Sequence, residues 1–533
     1  MKKNKIQGIL LLTAVFLFIV GWLSVYFSFL LLFAFIPLLV LFENTSKGKL
    51  LIVYIVFILW HSTTIFWIYK INEEAFIAIS LINSLFFLTP FVLYKYGVRK
   101  YNYLTASFLF IVSWVSIEFL HHKWGFAFPY MTLGNGLADI PRFIQWYEYT
   151  GVLGGSLWIL AANFFLYGIV RKYRNKEKFS KVIVVEALIV IFLPMVISIA
   201  INTKSINKKK SVEVVSVHTN ADCYNFKYKV SPKKLVNHYL DAILPNITEN
   251  TSFIILPETA IKGRYWIGRN KVKESGLLKY IKDTIKFKSP NVNLISGIFL
   301  NQVVNEKDKI AAYAHFNKKY KRSFYKYNGA INIDPNTSFF EYRTKQKLVP
   351  MEESTPYPSI MSGLKGVVKS LGNFNFYYEK EDGKVFYNKS IDTKASMLIC
   401  YESLFGEETT KHTKNGAEVL FVGLNEGWYK NLKAASHFNN FGVLRAIENR
   451  RYVVRSSNDG ISSIIDPKGT LVKQTSEFKP SALKATVFAN KTITFYVKYG
   501  DYIGRLSVIV LGILIIYNLV FKLFIKVKSL KKS

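Results

Sequence analysis

The residue types that covalent acyl transfer needs stand at the ends of short apolar runs. Cys400 closes the run 395–400 and is followed by Tyr401 and Glu402. Glu258 follows the run 252–257, and Lys345 precedes Leu348, Val349 and Pro350, with Glu353 eight residues after it. Strand ends in layered α/β domains gather chemistry, because the turn that follows exposes a side chain on a rigid support. A thiol can attack a carbonyl, a carboxylate can take its proton, and an ammonium can receive the developing oxyanion. Each residue alone has a plainer reading. A cysteine ending an apolar run is usually a small core residue, a glutamate there can cap a helix, and Lys345 is one of many lysines. Pairing of Cys223 with Cys400 is open to a domain outside the cytoplasm. A Ser/His/Asp site on His437 fares worse, because His437 sits in a helical pattern and no Gly-x-Ser-x-Gly accompanies it.

These residues need a frame, and the stretch 202–503 supplies one. Apolar runs at 212–217, 252–256, 292–299, 395–400, 418–424, 452–456 and 461–465 have the length of buried strands. Helical patterns at 232–243, 274–287 and 437–450 lie between them. Strand alternating with helix predicts a layered α/β domain.

The rest of the chain is of another kind. In 533 residues, half are apolar and 16% aromatic, yet 70 basic against 35 acidic side chains leave a net charge of +35. That hydrophobicity excludes a disordered chain, and two cysteines exclude a disulfide scaffold. A basic apolar chain points to a membrane protein with lysines in its cytoplasmic loops rather than to a nucleic-acid binder. Apolar stretches near 6–22, 24–42, 50–69, 75–95, 104–121, 151–170, 182–201 and 504–521 predict about eight spans. Lys2, Lys3, Lys5, Lys47, Lys49, Lys95, Arg99 and Lys100 mark one side, as do the basic residues of 171–181 and of the tail. The other loops hold little more than Lys70, Lys123 and Arg142. The expected organisation is a bundle at 1–201, an extracytoplasmic domain at 202–503, and a last helix with a basic tail at 504–533, both termini cytoplasmic.

The motifs carry a resemblance. Pro257-Glu258-Thr259-Ala260, Lys345-x-x-Leu-Val-Pro-x-x-Glu353, Cys400-Tyr401-Glu402 and Asn425-x-x-Trp428-Tyr429 stand in that order. Arg445-Ala-x-Glu-x-Arg450 and Arg455-Ser-x-Asn-x-Gly460 follow them. This order is similar to the nitrilase (carbon–nitrogen hydrolase) superfamily, and more narrowly to the apolipoprotein N-acyltransferases of the bacterial inner membrane. Phe128-Pro129-Tyr130, Leu133-Gly134-Asn135 and Gln145-Trp146-Tyr147-Glu148 extend the likeness into the membrane half. The chain departs from the pattern at Met351-Glu352, where Phe-Gly is usual, and at Lys347, where His is usual.

The resemblance implies an αββα sandwich with Glu258, Lys345 and Cys400 as catalytic residues and Glu353, Tyr401 and Glu402 in support. It implies substrate contacts from an aromatic near the end of 220–228, with Tyr228 the better match and Phe226 the alternative, and from Trp428 and Tyr429. The implied donor is a phospholipid of the phosphatidylethanolamine type. The implied acceptor is the amino group of a diacylglyceryl-cysteine lipoprotein, acylated through a cysteine thioester without metal or cofactor. Aromatic stretches at 125–130 and 351–363 are candidate entry arms for lipid. A membrane-tethered amidase or hydrolase uses the same three residues, and a non-enzymatic transport or assembly protein is the remaining class. Glu118 is the nearest candidate for the intramembrane charge that transporters carry.

Overall fold

A computed structural model describes the chain except residues 1, 25, 44–47, 179, 204, 207, 264–266, 306, 308–312, 319, 362–374, 429–431, 476–478 and 531–533. The chain divides into two compact units. One comprises 1–69, 73–199 and 501–533, the other 70–72 and 200–500.

The first unit is helical. Among the described residues, six helices are long and apolar enough to cross a membrane: Lys5–Leu23, Glu73–Lys100, Tyr103–His121, Tyr147–Arg174, Lys181–Asn202 and Tyr502–Phe521. The expected spans at 24–42 and 50–69 fall on the shorter apolar segments Ser28–Phe42 and Lys49–Thr64. The first of these opens as a 3-10 turn, Ser28–Leu32. Its loosened backbone is met by Asn163, which donates to Leu31 O and accepts from Phe35 N. In hydrocarbon such groups must be satisfied within the protein.

Aromatic rings fill much of this unit's core. Phe35 lies edge-on to Trp114 with ring centroids 4.9 Å apart, and Phe87 stacks on Trp114 at 4.5 Å. Glu118 has a structural use here, accepting from Trp114 Nε1 and Leu133 N. Tyr147 OH donates to Gly134 O, so two of the stretches quoted from the membrane half pack on one another. Most of the stretch 125–130 is packed inside the unit, with Gly125 left exposed. Ala127, Phe128 and Tyr130 are buried, and the Phe128 and Tyr130 rings stack at 5.7 Å.

The second unit is built on strands β1 (Ser211–His218), β2 (Thr251–Ile255), β3 (Ile267–Gly268), β4 (Asn293–Val304), β5 (His315–Asn317), β6 (Arg322–Ile333) and β7 (Phe340–Thr344). These are followed by β8 (Phe386–Asn388), β9 (Thr393–Ile399), β10 (Val419–Leu424), β11 (Val453–Ser457), β12 (Ser463–Ile465), β13 (Leu471–Gln474) and β14 (Ser481–Phe488). They form an eight-stranded sheet of order β14-β1-β2-β4-β6-β5, with β3 on β4 and β7 on β6. A six-stranded sheet has the order β13-β12-β11-β10-β9-β8.

Alternation along β1 and β2 sets the layers. Val212, Val214, Phe253 and Ile255 join Met397, Ile399, Phe421 and Val454 in a core between the sheets. Val215, Val217 and Ile254 turn the other way, onto the helices Pro232–Ile243 and Gly276–Lys288. The helices Gly406–Lys414 and Leu432–Asn449 connect β9 to β10 and β10 to β11, as parallel strands require. The result is a helix–sheet–sheet–helix sandwich. The parallel pairs β1–β2, β2–β4, β9–β10 and β10–β11 align their C-terminal ends, and the segments carrying Glu258, Cys400 and Asn425 leave from there.

The corner after β2 depends on a glycine of its neighbour. Gly297 on β4 donates to Pro257 O and accepts from Ile261 N. A Cβ on Gly297 would lie 2.3 Å from Thr259 N and 2.6 Å from Glu258 Cα, so either β4 or the corner would have to move. Gly297→Ala is expected to destabilise the purified protein by about 1–3 kcal/mol, the usual range for overpacking. Gly276→Ala, whose Cβ meets nothing within 4 Å, serves as the control. Equal thermal melting of the two variants would contradict this account of the corner.

Candidate active site

Glu258, Lys345 and Glu353 meet in one buried ion cluster. Lys345 leaves the end of β7 with its backbone N–H held by Asn328 O. Its ammonium lies 2.9 Å from Glu258 Oε1 and 2.8 Å from Glu353 Oε2. Asn328 Nδ2 donates to the Oε1 atoms of both carboxylates, at 2.8 and 2.9 Å. Glu353 Oε2 also accepts from Val349 N. Burial lowers the affinity of Lys345 for its proton, but Glu258 and Glu353 outweigh that and hold it well above the usual lysine range. Burial pushes Glu353 above the usual carboxylate range; Lys345 opposes the shift and Glu258 adds to it.

Both fixed donors to Glu258 use Oε1. Among the described residues no hydrogen bond reaches Oε2, which leaves that oxygen for proton transfer.

Cys400 begins the 3-10 turn Cys400–Leu404 directly after β9. Its φ of +48° lies in the left-handed region, as does Thr259, next to Glu258, at +53°. Such conformations cost a non-glycine residue about 1–2 kcal/mol and persist where surrounding structure imposes them. The thiol is half-buried and not in a disulfide, and its sulfur makes no hydrogen bond among the described residues. Burial pushes the thiol well above its usual range; Glu258 adds to this, and Lys345 opposes it. The resting group is therefore a neutral thiol among charged neighbours.

Glu402 links the nucleophile's turn to the lysine's strand. Its Oε2 accepts from Ile399 N and its Oε1 from Gln346 N, at 2.7 and 2.6 Å. Arg343 clamps the same carboxylate through both terminal nitrogens, at 2.9 and 2.7 Å, and donates to Met397 O. Burial raises Glu402, but Arg343 overrides it and holds the carboxyl below its usual range. Tyr401 is buried, edge-on to Phe405. Arg445 donates to Ser403 O behind the turn and pairs with Glu448, which accounts for the Arg-Ala-x-Glu motif.

An aromatic pair lies close by. Tyr228 stacks on Trp428 with centroids 5.7 Å apart, and its hydroxyl is 3.4 Å from Thr259 Oγ1. Phe226 packs instead on His238 and the outer core, so Tyr228 is the aromatic beside the candidate site. Tyr429 lies outside the described residues. Cys223 is buried and donates to Asn425 Oδ1. His437 lies inside the helix Leu432–Asn449. Among the described residues no group of three His, Cys, Asp or Glu side chains could hold a metal ion.

Sequence reading missed Asn328, Arg343 and Lys227. Asn328 sits mid-strand in β6 with no motif around it. Arg343 stands two residues before Lys345, and two-residue spacing on a strand was a usable signal that both face one way. Lys227 is completely buried, one residue before the aromatic that was singled out.

The carbon-nitrogen hydrolase family model matches residues 223–495, and the model described as apolipoprotein N-acyltransferase N-terminal domain matches 13–165. Curated relatives include the apolipoprotein N-acyltransferase of Chlorobaculum tepidum, 24% identical, with 92% of each chain covered. That of Thermotoga maritima is 25% identical over 75% of this chain and 69% of its own. That of Wigglesworthia glossinidia brevipalpis is 27% identical over 82% of each. With its family-type catalytic unit and matching N-terminal domain, the chain belongs to the carbon-nitrogen hydrolase family, among the apolipoprotein N-acyltransferases.

Proposed function

We propose that the chain transfers an acyl chain from a membrane phospholipid to the N-terminal amino group of diacylglyceryl-cysteine lipoproteins, through a thioester on Cys400. The observation that carries this reading is the buried Glu258–Lys345–Glu353 cluster at strand ends beside the turn that begins with Cys400, in a chain whose first part matches the N-terminal domain of these acyltransferases. The basic loops support a cytoplasmic-membrane protein with both termini inside and the catalytic unit outside.

Glu258 Oε2 takes the thiol proton as Cys400 attacks the ester carbonyl, and the charge that develops on the carbonyl oxygen falls to Lys345. Collapse expels the lysophospholipid alkoxide, which takes the proton back from Glu258. The acceptor amine then attacks the thioester, Glu258 removes its proton, and Cys400 leaves and is reprotonated. Phosphatidylethanolamine is the proposed donor. Tyr228 and Trp428, with Tyr429, would flank the lipid. The segment after Glu353 presents Tyr357 and Ile360, 45% and 67% exposed, as an arm for lipid entry; its residues 362 and 363 lie outside the described residues.

Incubated with phospholipid, the wild-type protein is expected to gain an acyl mass on Cys400. Cys400→Ala loses it and Cys223→Ala retains it. Mass spectrometry giving the reverse would end this reading.

The two assigned roles separate by pH. Because the thiol rests neutral, Glu258→Gln should slow single-turnover acylation at neutral pH and recover partly as hydroxide makes thiolate. Lys345→Met should lose about 10²–10³-fold, the usual effect of a missing oxyanion donor, with no recovery at any pH. Equal recovery of both would mean the roles are misassigned.

For the arm, Ile360→Asp should raise KM for phospholipid in vesicles several-fold and leave kcat unchanged. A changed kcat with unchanged KM would place Ile360 outside lipid entry.

A further inference from the structure

The buried lysine at position 227 has no part in the acyl transfer just described, yet it is bonded to the residue that carries the base. Its ammonium donates to Glu258 O at 3.0 Å and to Thr259 Oγ1 at 2.8 Å. No carboxylate oxygen lies within salt-bridge distance of it among the described residues. The segment that bears it is pinned at several points. Lys227 N donates to Asp222 O, Asn458 Nδ2 donates to Ala221 O, and Cys223 donates to Asn425. The ammonium is thus fixed beside the Glu258 corner and cannot swing to water.

Burying an ammonium without an ion-pair partner costs several kcal/mol. A hydroxyl and a carbonyl offset only part of that, so the fold retains the charge against a cost. The charges around the site suggest what it does. Glu258 and Glu353 are two acidic groups, and Lys345 supplies one positive charge between them. A second cation is needed for the cluster to be neutral before any negative charge develops on sulfur or on the ester oxygen.

The groups facing Lys227 are Cys223 on its own segment, Glu258 and Lys262 on the loop after β2, and Cys400 after β9. The Tyr228 ring lies 5.7 Å away. Burial brings Lys227 down to about 8; Cys223, Glu258 and Cys400 pull the other way, and Lys262 adds to the lowering.

We propose that Lys227 is a positioning residue, the second cation of the site, held on Glu258 O and Thr259 Oγ1 so that its charge lowers the cost of thiolate at Cys400. This rests on the roles given above to Glu258 and Cys400. A positive charge next to an acid favours its anionic form. Removing the charge makes the Cys400 thiolate costlier, and the acid limb of the acylation profile moves to higher pH.

The test uses the full-length protein in detergent, with single-turnover acylation of Cys400 by phosphatidylethanolamine measured by mass spectrometry from pH 5 to 9. Lys227→Gln keeps a donor for Glu258 O and loses the charge. Its acid limb is expected to shift up by about 1 pH unit, roughly tenfold slower at any pH below the limb. Thr259→Val removes one hydrogen bond and keeps the charge, and its limb should stay at the wild-type position. Lys227→Met loses both and should shift at least as far as Lys227→Gln; if it fails to fold, the first two variants decide alone. A Lys227→Gln limb at the wild-type position, or an equal shift in Thr259→Val, overturns the proposal. Loss of the adduct in Cys400→Ala, measured alongside, shows that the acylation reading stands in either case. Retention of the adduct there would instead mean that the reading itself has failed.

Discussion

A lysine ammonium buried between two carboxylates is the constraint around which the catalytic unit is arranged. Lys345 is 1% exposed, and a charge so placed needs ionic partners or the fold does not tolerate it. Glu258 and Glu353 meet that need, and Asn328 ties their Oε1 atoms to one donor. Three elements are fixed as a consequence: the corner after β2, the end of β7, and the loop after it. The geometry also divides Glu258: Oε1 holds the cluster together, and Oε2 is the oxygen to which the proposed mechanism gives the proton.

Chain strain follows from the same demand. Thr259 and Cys400 take left-handed conformations at the two strand ends that face each other. The strands that impose this are buried; Gly297 makes room for the corner after β2, and Gly423 lets the second sheet come close to it. A Cβ on Gly423 would sit 1.9 Å from Met397 Cε and 3.1 Å from Glu258 N. Arg343 and Glu402 complete the arrangement from the far side, a fully buried pair whose carboxylate holds backbone N–H groups on both flanking segments. A lost partner there would leave an uncompensated charge in the core, which is costlier than the pair is stabilising. Rigid placement of Cys400 relative to Lys345 is what that pair adds.

Much of this was legible in the sequence, for identifiable reasons. Glu258 and Cys400 end continuous apolar runs, and a run with both faces buried is hard to mistake for anything but an interior strand. Lys345 and Glu353 were legible only through the motif around them, because neither flanks such a run. Asn328 and Lys227 were not legible. Their roles come from contacts across 70 positions to Glu258 and 31 to the same residue, and no local spacing encodes such pairing. The stretch 125–130 read as an entry arm because aromatic residues suit a membrane interface and a helical core equally well, and burial decides between them only in three dimensions. At 24–42 apolar composition ran on through Ser28–Leu32, where the helix gives way to a 3-10 turn; Asn163, more than 120 positions away, satisfies the break.

The protonation state of the thiol bears on how such a site could favour lipid esters over water. An exposed thiolate would react with any electrophile and oxidise readily. Burial works against that anion at Cys400, so in the proposed mechanism it forms only when a carbonyl oxygen is placed to draw charge toward Lys345. Proton transfer and attack are then coupled, and a substrate bound without its carbonyl in that place gains nothing from the base. Burial that disfavours the thiolate also makes it a poorer leaving group, which would steady the proposed thioester. Water reaching the carbonyl would need Glu258 as its base, and Glu258 shares its one hydrogen-bonded oxygen between Lys345 and Asn328, leaving a single oxygen to serve any nucleophile. An acceptor amine held by its own lipid chains competes for that oxygen at high local concentration, whereas water comes to it unanchored. In the proposed mechanism, selection of the amine thus falls to positioning rather than to any difference in the chemistry of the three residues.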